Sequence, residues 1–195
     1  MNHEGQPARV VGGSATFDTT PNDLWDALTT PDRIRRWFMP VSGDLKTGGR
    51  YQLEGNAGGK IIRCDPPEAF DVTWEWGENI SWVRVRLDIH DGGTRLTLEH
   101  IMLKDEASEE HWRKYGPGAT GVGWDLSFVA LDQHLRTGEA IPPGAADSWS
   151  TTEGGKTFVR QSAAAWGDAH IDFGETESVA REMAGQTAKF YCGEG

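Results

Sequence analysis

Cysteine and basic residues are scarce in this sequence, and each shortage excludes a class of protein. The only cysteines among its 195 residues are Cys64 and Cys192. Two distant cysteines predict neither a disulfide framework nor a zinc site, and they favour a reducing, cytoplasmic setting. Lysine and arginine total 19 against 30 aspartates and glutamates, for a net charge of -11. Because phosphate-binding surfaces need a clustered excess of basic side chains, no nucleic-acid partner is predicted.

Long apolar runs are missing as well. The mean hydropathy is -0.55, and no apolar run approaches the roughly 20 residues that cross a bilayer. The opening residues, MNHEGQPARV, lack the apolar core of a secretory signal peptide. The sequence therefore predicts no membrane partner and a cytoplasmic location.

Tryptophan, by contrast, is abundant, with nine residues in an otherwise polar chain. Each indole brings roughly 150 to 250 Å² of surface to bury. A compact chain of this size buries about 70% of its extended-chain surface. The sequence therefore predicts a real core, and the position of these rings is its main clue to function.

Residues 9–100 mostly alternate between apolar and polar side chains, a pattern typical of an antiparallel sheet. Two short helices interrupt the alternation, because Thr20-Pro21 and Thr30-Pro31 each place a threonine N-cap before a proline. The apolar face of the predicted strands carries Tyr51, Leu53, Phe70, Val72, Trp74, Trp76, Val83, Val85, Leu87, Ile89, Leu96, Leu98 and His100.

A longer helix is predicted after Gly118 from its 3.6-residue periodicity. One apolar face consists of Trp124, Phe128, Leu131 and Leu135, and a second stripe on the opposite side consists of Val122, Leu126 and Val129. Residues 138–149 are typical of a linker, and residues 150–192 form a predicted two-helix extension that opens with a capping box at Ser150. We expect the extension to pack on the domain of residues 8–137, or a homodimer partner to cover the second stripe.

Strings that resemble catalytic signatures do not lie in the structural context that their chemistry requires. The string GPGATG (116–121) fits GxGxxG, but a polar stretch precedes it where dinucleotide binding needs a buried strand. The string GKT (155–157) lacks the first glycine of a phosphate-binding loop and follows a capping box. The six histidines are scattered. We therefore expect no cofactor, no metal site and no catalytic constellation.

Several strings together resemble one known family. They are TPNDLWDALT (20–29), PDRIRRWF (31–38), GGRY (48–51), DPP (65–67), VTW (72–74), GTRLTLEH (93–100) and GW (123–124). Over about residues 10–135, the sequence resembles the SRPBCC superfamily of START and birch-pollen-allergen type. Within it, the strings resemble the bacterial branch related to the C-terminal domain of the heat-shock protein 90 ATPase activator. The resemblance implies an α+β helix-grip fold, with a curved antiparallel sheet around a long C-terminal helix.

The resemblance also implies a cavity between the sheet and the long helix, used by relatives for apolar molecules. Tyr51, Arg63 and His100 are the polar candidates there, and His100 is either a hydrogen-bonded strand residue or an anchor for a ligand. The full predicted ligand set is Trp37, Tyr51, Leu53, Arg63, Phe70, Trp74, Trp76, Val85, Leu87, Leu98, His100, Trp124, Phe128 and Leu131.

Three functions follow as hypotheses. The first is a non-catalytic protein that binds a small apolar or aromatic ligand. The second is a co-chaperone-like module with a heat-shock chaperone as partner, although the chain has no room for the separate N-terminal domain of the eukaryotic activator. The third is a cyclase or hydrolase that uses His100 and Tyr51 as acid and base.

Overall fold

The computed structural model describes residues 1–142 and 144–194, which form one eight-stranded antiparallel sheet and seven helices. The spatial order of the strands is β1-β2-β8-β7-β6-β5-β4-β3. The strands are β1 (Asn2–His3), β2 (Gln6–Phe17), β3 (Val41–Gly43), β4 (Arg50–Leu53), β5 (Gly58–Asp65), β6 (Ala69–Trp76), β7 (Asn79–His90) and β8 (Gly93–Leu103). The helices are α1 (Pro21–Thr29), α2 (Pro31–Trp37), α3 (Glu106–Tyr115), α4 (Gly118–Thr137), α5 (Ala145–Ser150), α6 (Glu153–Asp172) and α7 (Glu177–Tyr191).

The chain divides into two compact units that do not follow its linear order. The first unit consists of Met1–Leu103 and Ser127–Pro142, and the second consists of Lys104–Leu126 and Pro143–Gly195. The boundary falls inside α4, so each half of that helix belongs to a different unit. The domain boundary after residue 137 stays a prediction, namely that residues 8–137 fold as an independent domain.

In the first unit, the sheet and the two short helices form as the sequence predicts. Helix α1 begins at Pro21, and the Thr20 hydroxyl accepts a hydrogen bond of 3.3 Å from the Asp23 amide. Helix α2 begins at Pro31, but Thr30 makes no side-chain cap bond there. Its hydroxyl instead donates to an Asp26 carboxylate oxygen at 2.5 Å, which ties the two helices together. Two short strands, β1 and β3, were not apparent from alternation.

We call the face of the sheet that carries Phe17 the inner face. Phe128 of α4 packs edge-on against Phe17, with 6.3 Å between ring centroids. One turn further along α4, Leu131 is completely buried. The C-terminal half of the long helix therefore lies on this face of the sheet.

The second unit is helical and has a core of its own. Val122 of α4 packs with Val159 and Ala163 of α6 and with Cys192, and Leu126 lies against the same cluster. Most of the second apolar stripe of α4 is thus covered within one chain. Val129, which belongs to the other unit, remains exposed.

Three details of the extension were not predicted from the sequence. The N-cap of α6 is Thr152 and not Ser150, because Thr152 accepts the Gly155 amide and Ser150 ends α5. Helix α7 buries Ala180, Met183 and Thr187, whereas Val179 and Phe190 are exposed. The predicted linker, 138–149, includes residue 143, which lies outside the described residues, and all of α5 except Ser150.

Candidate functional site

The inner face is built from rows of residues that pair across the sheet. The central row runs through Val11, His100, Val83, Val72 and Ile61. On one side of it lies a row of Gly13, Leu98, Val85, Phe70 and Cys64. On the other side lies a row of Arg9, Met102, Ser81 and Trp74. Because side chains alternate along a strand, each row points to the same side of the sheet.

The aliphatic members of the predicted ligand set are buried, whereas most of its aromatic members are only partly buried. The buried ones are Leu53, Val85, Leu87, Leu98 and Leu131. The half-buried ones are Trp37, Phe70, Trp74 and Phe128. The Trp37 indole donates a 2.9 Å hydrogen bond to the Ala27 carbonyl, and Phe70 contacts Trp25 edge-on at 6.0 Å. As ligand contacts, these residues stay predictions.

His100 lies between Val11 and Val83 in the central row and is 8% exposed. Its Nε2 lies 2.8 Å from the Ser81 hydroxyl, and that hydroxyl donates to the Trp74 carbonyl at 3.1 Å. A hydroxyl donates only one hydrogen bond, so Ser81 accepts from a protonated Nε2. The Trp74 ring meets the imidazole edge-on at 6.0 Å. Burial lowers the pKa of His100 to about 4, which makes the ring neutral near pH 7.

Tyr51 lies at the other end of the inner face, in a buried cluster with Leu53 and Ile61. Its hydroxyl donates a 2.7 Å hydrogen bond to the Thr73 carbonyl. Burial raises the pKa of the phenol above its ordinary value. A phenol held on a strand carbonyl with a raised pKa is a poor proton donor, so the geometry does not favour Tyr51 as a catalytic acid.

The expectation that Arg63 faces the interior is wrong. A bulge interrupts β5 between Ile61, which pairs with Val72, and Arg63, which pairs with Asp71. The extra residue reverses the alternation beyond Ile61. Arg63 is therefore exposed, and its guanidinium forms an ion pair with Asp65. A bulge leaves no reliable sign in a single sequence.

Trp76 was also predicted to face the interior, and it is 56% exposed. It is the last residue of β6 and pairs with Asn79 across the turn to β7. Trp74, two residues earlier on the same side of the strand, is half-buried. The alternation assigns Trp76 to the correct face of β6. It does not show that other residues no longer cover this face at the end of the strand.

Trp124 lies in the N-terminal half of α4, which belongs to the helical unit. It is half-buried, and its assignment to the ligand set stays a prediction. The candidate site described here consists of the sheet unit alone.

A polar network that the sequence analysis missed joins α1 and α2 to the end of α4. The Arg33 Nε donates to Nε2 of the fully buried His134 at 3.1 Å, while Nδ1 of that ring lies 2.8 Å from the Glu139 carbonyl. The Arg33 Nη1 bonds Asp23 at 3.0 Å and Asp26 at 2.9 Å. A hydrogen bond from Thr19 holds the pKa of Asp23 below its ordinary value, and Arg33 adds to this effect. The motifs around residues 20–37 thus encode a structural junction.

The opposite face of the sheet carries a smaller apolar cluster of Ala8, Trp82 and Ile101. The His3 ring covers Trp82, with 4.2 Å between the two centroids. Elsewhere on this face, arginine and acidic side chains form ion pairs, such as Arg95 with Asp88 at 2.9 Å. This face is therefore a solvated surface with one apolar patch, which the His3 ring covers.

The part of the chain that the structure describes offers neither a metal site nor a membrane span. No group of three or more histidine, cysteine, aspartate or glutamate side chains there could hold a metal ion. Among the described helices, none has the length and apolar character needed to cross a membrane.

The fold defines the class of protein. Two short helices follow the first long strand of an antiparallel sheet, and half of a long helix lies on the inner face of that sheet. This is the helix-grip arrangement of the SRPBCC superfamily. The model of the family described as Activator of Hsp90 ATPase homolog 1-like protein matches residues 18–136. The chain belongs to that family, as its motifs predict.

Solved structures agree with this assignment. The crystal structure of CalU16 from Micromonospora echinospora is 33% identical over 67% of this chain and 78% of CalU16, with a TM-score of 0.58. The solution NMR structure of CalU16 aligns over 98% of this chain and 96% of its own, at 25% identity and a TM-score of 0.59. That alignment includes the C-terminal helices.

More distant structures support the fold alone. DynU16, a protein in the dynemicin biosynthetic locus, is 19% identical over 67% of this chain and 48% of its own, with a TM-score of 0.57. The Aha1 dimer from Colwellia psychrerythraea is 14% identical over 67% of this chain and 98% of its own, with a TM-score of 0.54. No curated protein matches the sequence.

Proposed function

We propose that the inner face of the sheet unit binds a small hydrophobic or aromatic molecule and does not transform it. One observation carries the proposal: three aromatic rings of this face keep accessible surface beside aliphatic side chains that are buried. Trp74, Phe70 and Phe128 are half-buried, whereas Val85 and Leu98 beside them are nearly inaccessible. Ligand sites are lined mainly by apolar and aromatic side chains with a few polar groups, and this part of the face has that composition.

The polar groups of the face support binding over catalysis. His100 is neutral near pH 7, since burial lowers its pKa to about 4. Tyr51 is committed to the Thr73 carbonyl. General acid catalysis at neutral pH needs a group whose pKa lies near the operating pH. Neither candidate from the sequence meets that need.

The experiment is a titration of tryptophan fluorescence with a library of hydrophobic and aromatic compounds. We expect saturable quenching or a spectral shift with a subset of the library. Trp74→Ala removes ring surface from the site and should weaken binding of those compounds at least tenfold. Trp76→Ala is the matched control, because it deletes an exposed indole from the same strand and should leave affinity unchanged. No response from any compound would refute the proposal.

A second candidate function is favoured by the family match itself. The family is named for an activator of the Hsp90 ATPase, so a chaperone is a candidate partner, as the sequence analysis also suggests. The test is a pull-down with the bacterial heat-shock chaperone together with its ATPase rate. Association with a changed rate would support this function, and neither effect would remove it.

A further inference from the structure

The Ser81 and His100 side chains form a polar pair inside a largely apolar region of the inner face. The two residues lie on neighbouring strands, β7 and β8, and in neighbouring rows. Val11 and Val83 flank His100 along its row. Replacing a polar pair with apolar side chains of similar size costs a core little or nothing. Core stability alone therefore does not require a hydroxyl and an imidazole here.

The hydrogen bonds of the pair determine what it can offer to a ligand. Ser81 donates to the Trp74 carbonyl and accepts from His100 Nε2. A hydroxyl oxygen has two lone pairs, so Ser81 retains capacity to accept a second hydrogen bond. This remaining acceptor capacity of Ser81 suits a neutral O–H or N–H donor on a ligand.

The charge of the pair points in the same direction. The imidazole is neutral near pH 7 because it is buried, and a neutral pair does not compensate a buried carboxylate. The cationic side chain in the same row is Arg9, which lies two strands from Ser81 on β2. An anionic ligand would need Arg9, and an uncharged donor needs only Ser81.

We propose that the Ser81 and His100 pair is the polar anchor of this site and selects uncharged aromatic molecules that carry a hydroxyl or N–H donor. This inference rests on the proposed function. The apolar and aromatic side chains receive the body of the ligand, and the pair fixes its orientation. Trp74 contributes to both, since its ring contacts His100 and its carbonyl accepts from Ser81.

The test uses three probes of similar shape, titrated into the full chain by calorimetry at pH 7. They are 2-naphthol, which donates a hydrogen bond, 2-methoxynaphthalene, which only accepts, and 2-naphthoate, which is anionic. We expect 2-naphthol to bind about three- to tenfold more tightly than 2-methoxynaphthalene, the worth of one neutral hydrogen bond. We expect 2-naphthoate to bind more weakly than either.

The double variant S81A/H100L removes both polar groups together, so neither Ser81 nor His100 is left facing an apolar replacement of the other. We expect it to fold and to bind 2-naphthol and 2-methoxynaphthalene equally. Thr94→Val is the matched control, because the buried Thr94 hydroxyl is committed to the Thr19 carbonyl. That variant should keep the preference of the wild type.

The outcomes separate this inference from the proposed function. If no probe binds the wild type, the proposed function fails. If the probes bind but 2-naphthol is not preferred, or the double variant keeps the preference, the anchor is overturned while binding stands. Tightest binding of 2-naphthoate, lost in Arg9→Gln, would also overturn it and would make Arg9 the anchor.

Discussion

A single residue, His100, shows how far sequence reasoning reaches on the inner face. Alternation along β8 places this histidine on the apolar side, and the structure buries it there. Its partner Ser81 could not be predicted, because the contact depends on the register between β7 and β8. Sequence alternation assigns faces, whereas register decides which side chains meet.

The first prediction concerns the pH dependence of stability. His100 has a pKa of about 4 when folded, against 6.5 for an ordinary histidine. At pH values between 4 and 6.5, His100 binds a proton more tightly in the unfolded chain than in the folded one. The contribution of the neutral imidazole to the free energy of unfolding is therefore fully present above pH 6.5 and declines as the pH falls toward 4. The difference amounts to about 3 kcal/mol. In urea unfolding at pH 7 and pH 4, His100→Leu should lack this loss, and parallel losses in both proteins would contradict the assignment.

The second prediction compares the two single substitutions of the pair near pH 7. Ser81→Ala leaves the buried His100 N–H without its acceptor and should cost about 1 to 3 kcal/mol of unfolding free energy. His100→Leu leaves Ser81 bonded to the Trp74 carbonyl and should cost less. Urea denaturation measures both. A larger loss in His100→Leu than in Ser81→Ala would show that the tautomer is assigned wrongly.

At the scale of the elements, the packing of the N-terminal half of α4 explains the glycines of GPGATG (116–121), the string that resembles a dinucleotide-binding motif. Gly118 faces Thr187 of α7, and Gly121 faces the Trp166 ring of α6. The Trp166 indole donates a 3.0 Å hydrogen bond to Asp125, one turn further along α4. The glycines of GPGATG allow α6 and α7 to approach α4 closely. No local sequence pattern identifies these packing partners.

The third prediction tests this packing. A Cβ on Gly121 would lie 2.1 Å from a Trp166 ring carbon, so Gly121→Ala should destabilise the helical unit by about 1 to 3 kcal/mol. Gly185→Ala is the control, because nothing lies within 4 Å of a Cβ at that exposed helical position. Alanine there should stabilise α7 by up to about 1 kcal/mol. Thermal unfolding of both variants gives the comparison, and equal effects would contradict the assigned packing.

The fourth prediction tests the junction of α1, α2 and α4. One guanidinium bonds His134, Asp23 and Asp26 at once, and lysine lacks that fork. Arg33→Lys should therefore cost about 1 to 3 kcal/mol. Arg35→Lys should be nearly neutral, since Arg35 and its partner Asp32 are both exposed. Chemical denaturation of the two variants compares their free energies of unfolding. Equal stabilities would rule out a special role for Arg33.

At the scale of the whole molecule, the nine tryptophans of this acidic chain do not form one core. Trp37 and Trp74 are half-buried members of the predicted ligand set, and Trp82 lies under His3 on the opposite face of the sheet. Trp166 packs in the helical unit. The sequence predicts the fold class and the family well, because both depend on patterns spread over many residues. It predicts side-chain exposure less well at Arg63 and Trp76, where a bulge and a strand end decide the outcome.

The most direct test of the central claim is a titration of the tryptophan indole N–H signals by two-dimensional NMR, with 2-naphthol as the probe. If the inner face of the sheet unit is the binding site, the Trp74 signal shifts saturably, and the exposed Trp76 and the covered Trp82 change little. A saturable shift confined to Trp76 and Trp82, or no saturable shift in any indole signal, would contradict the account.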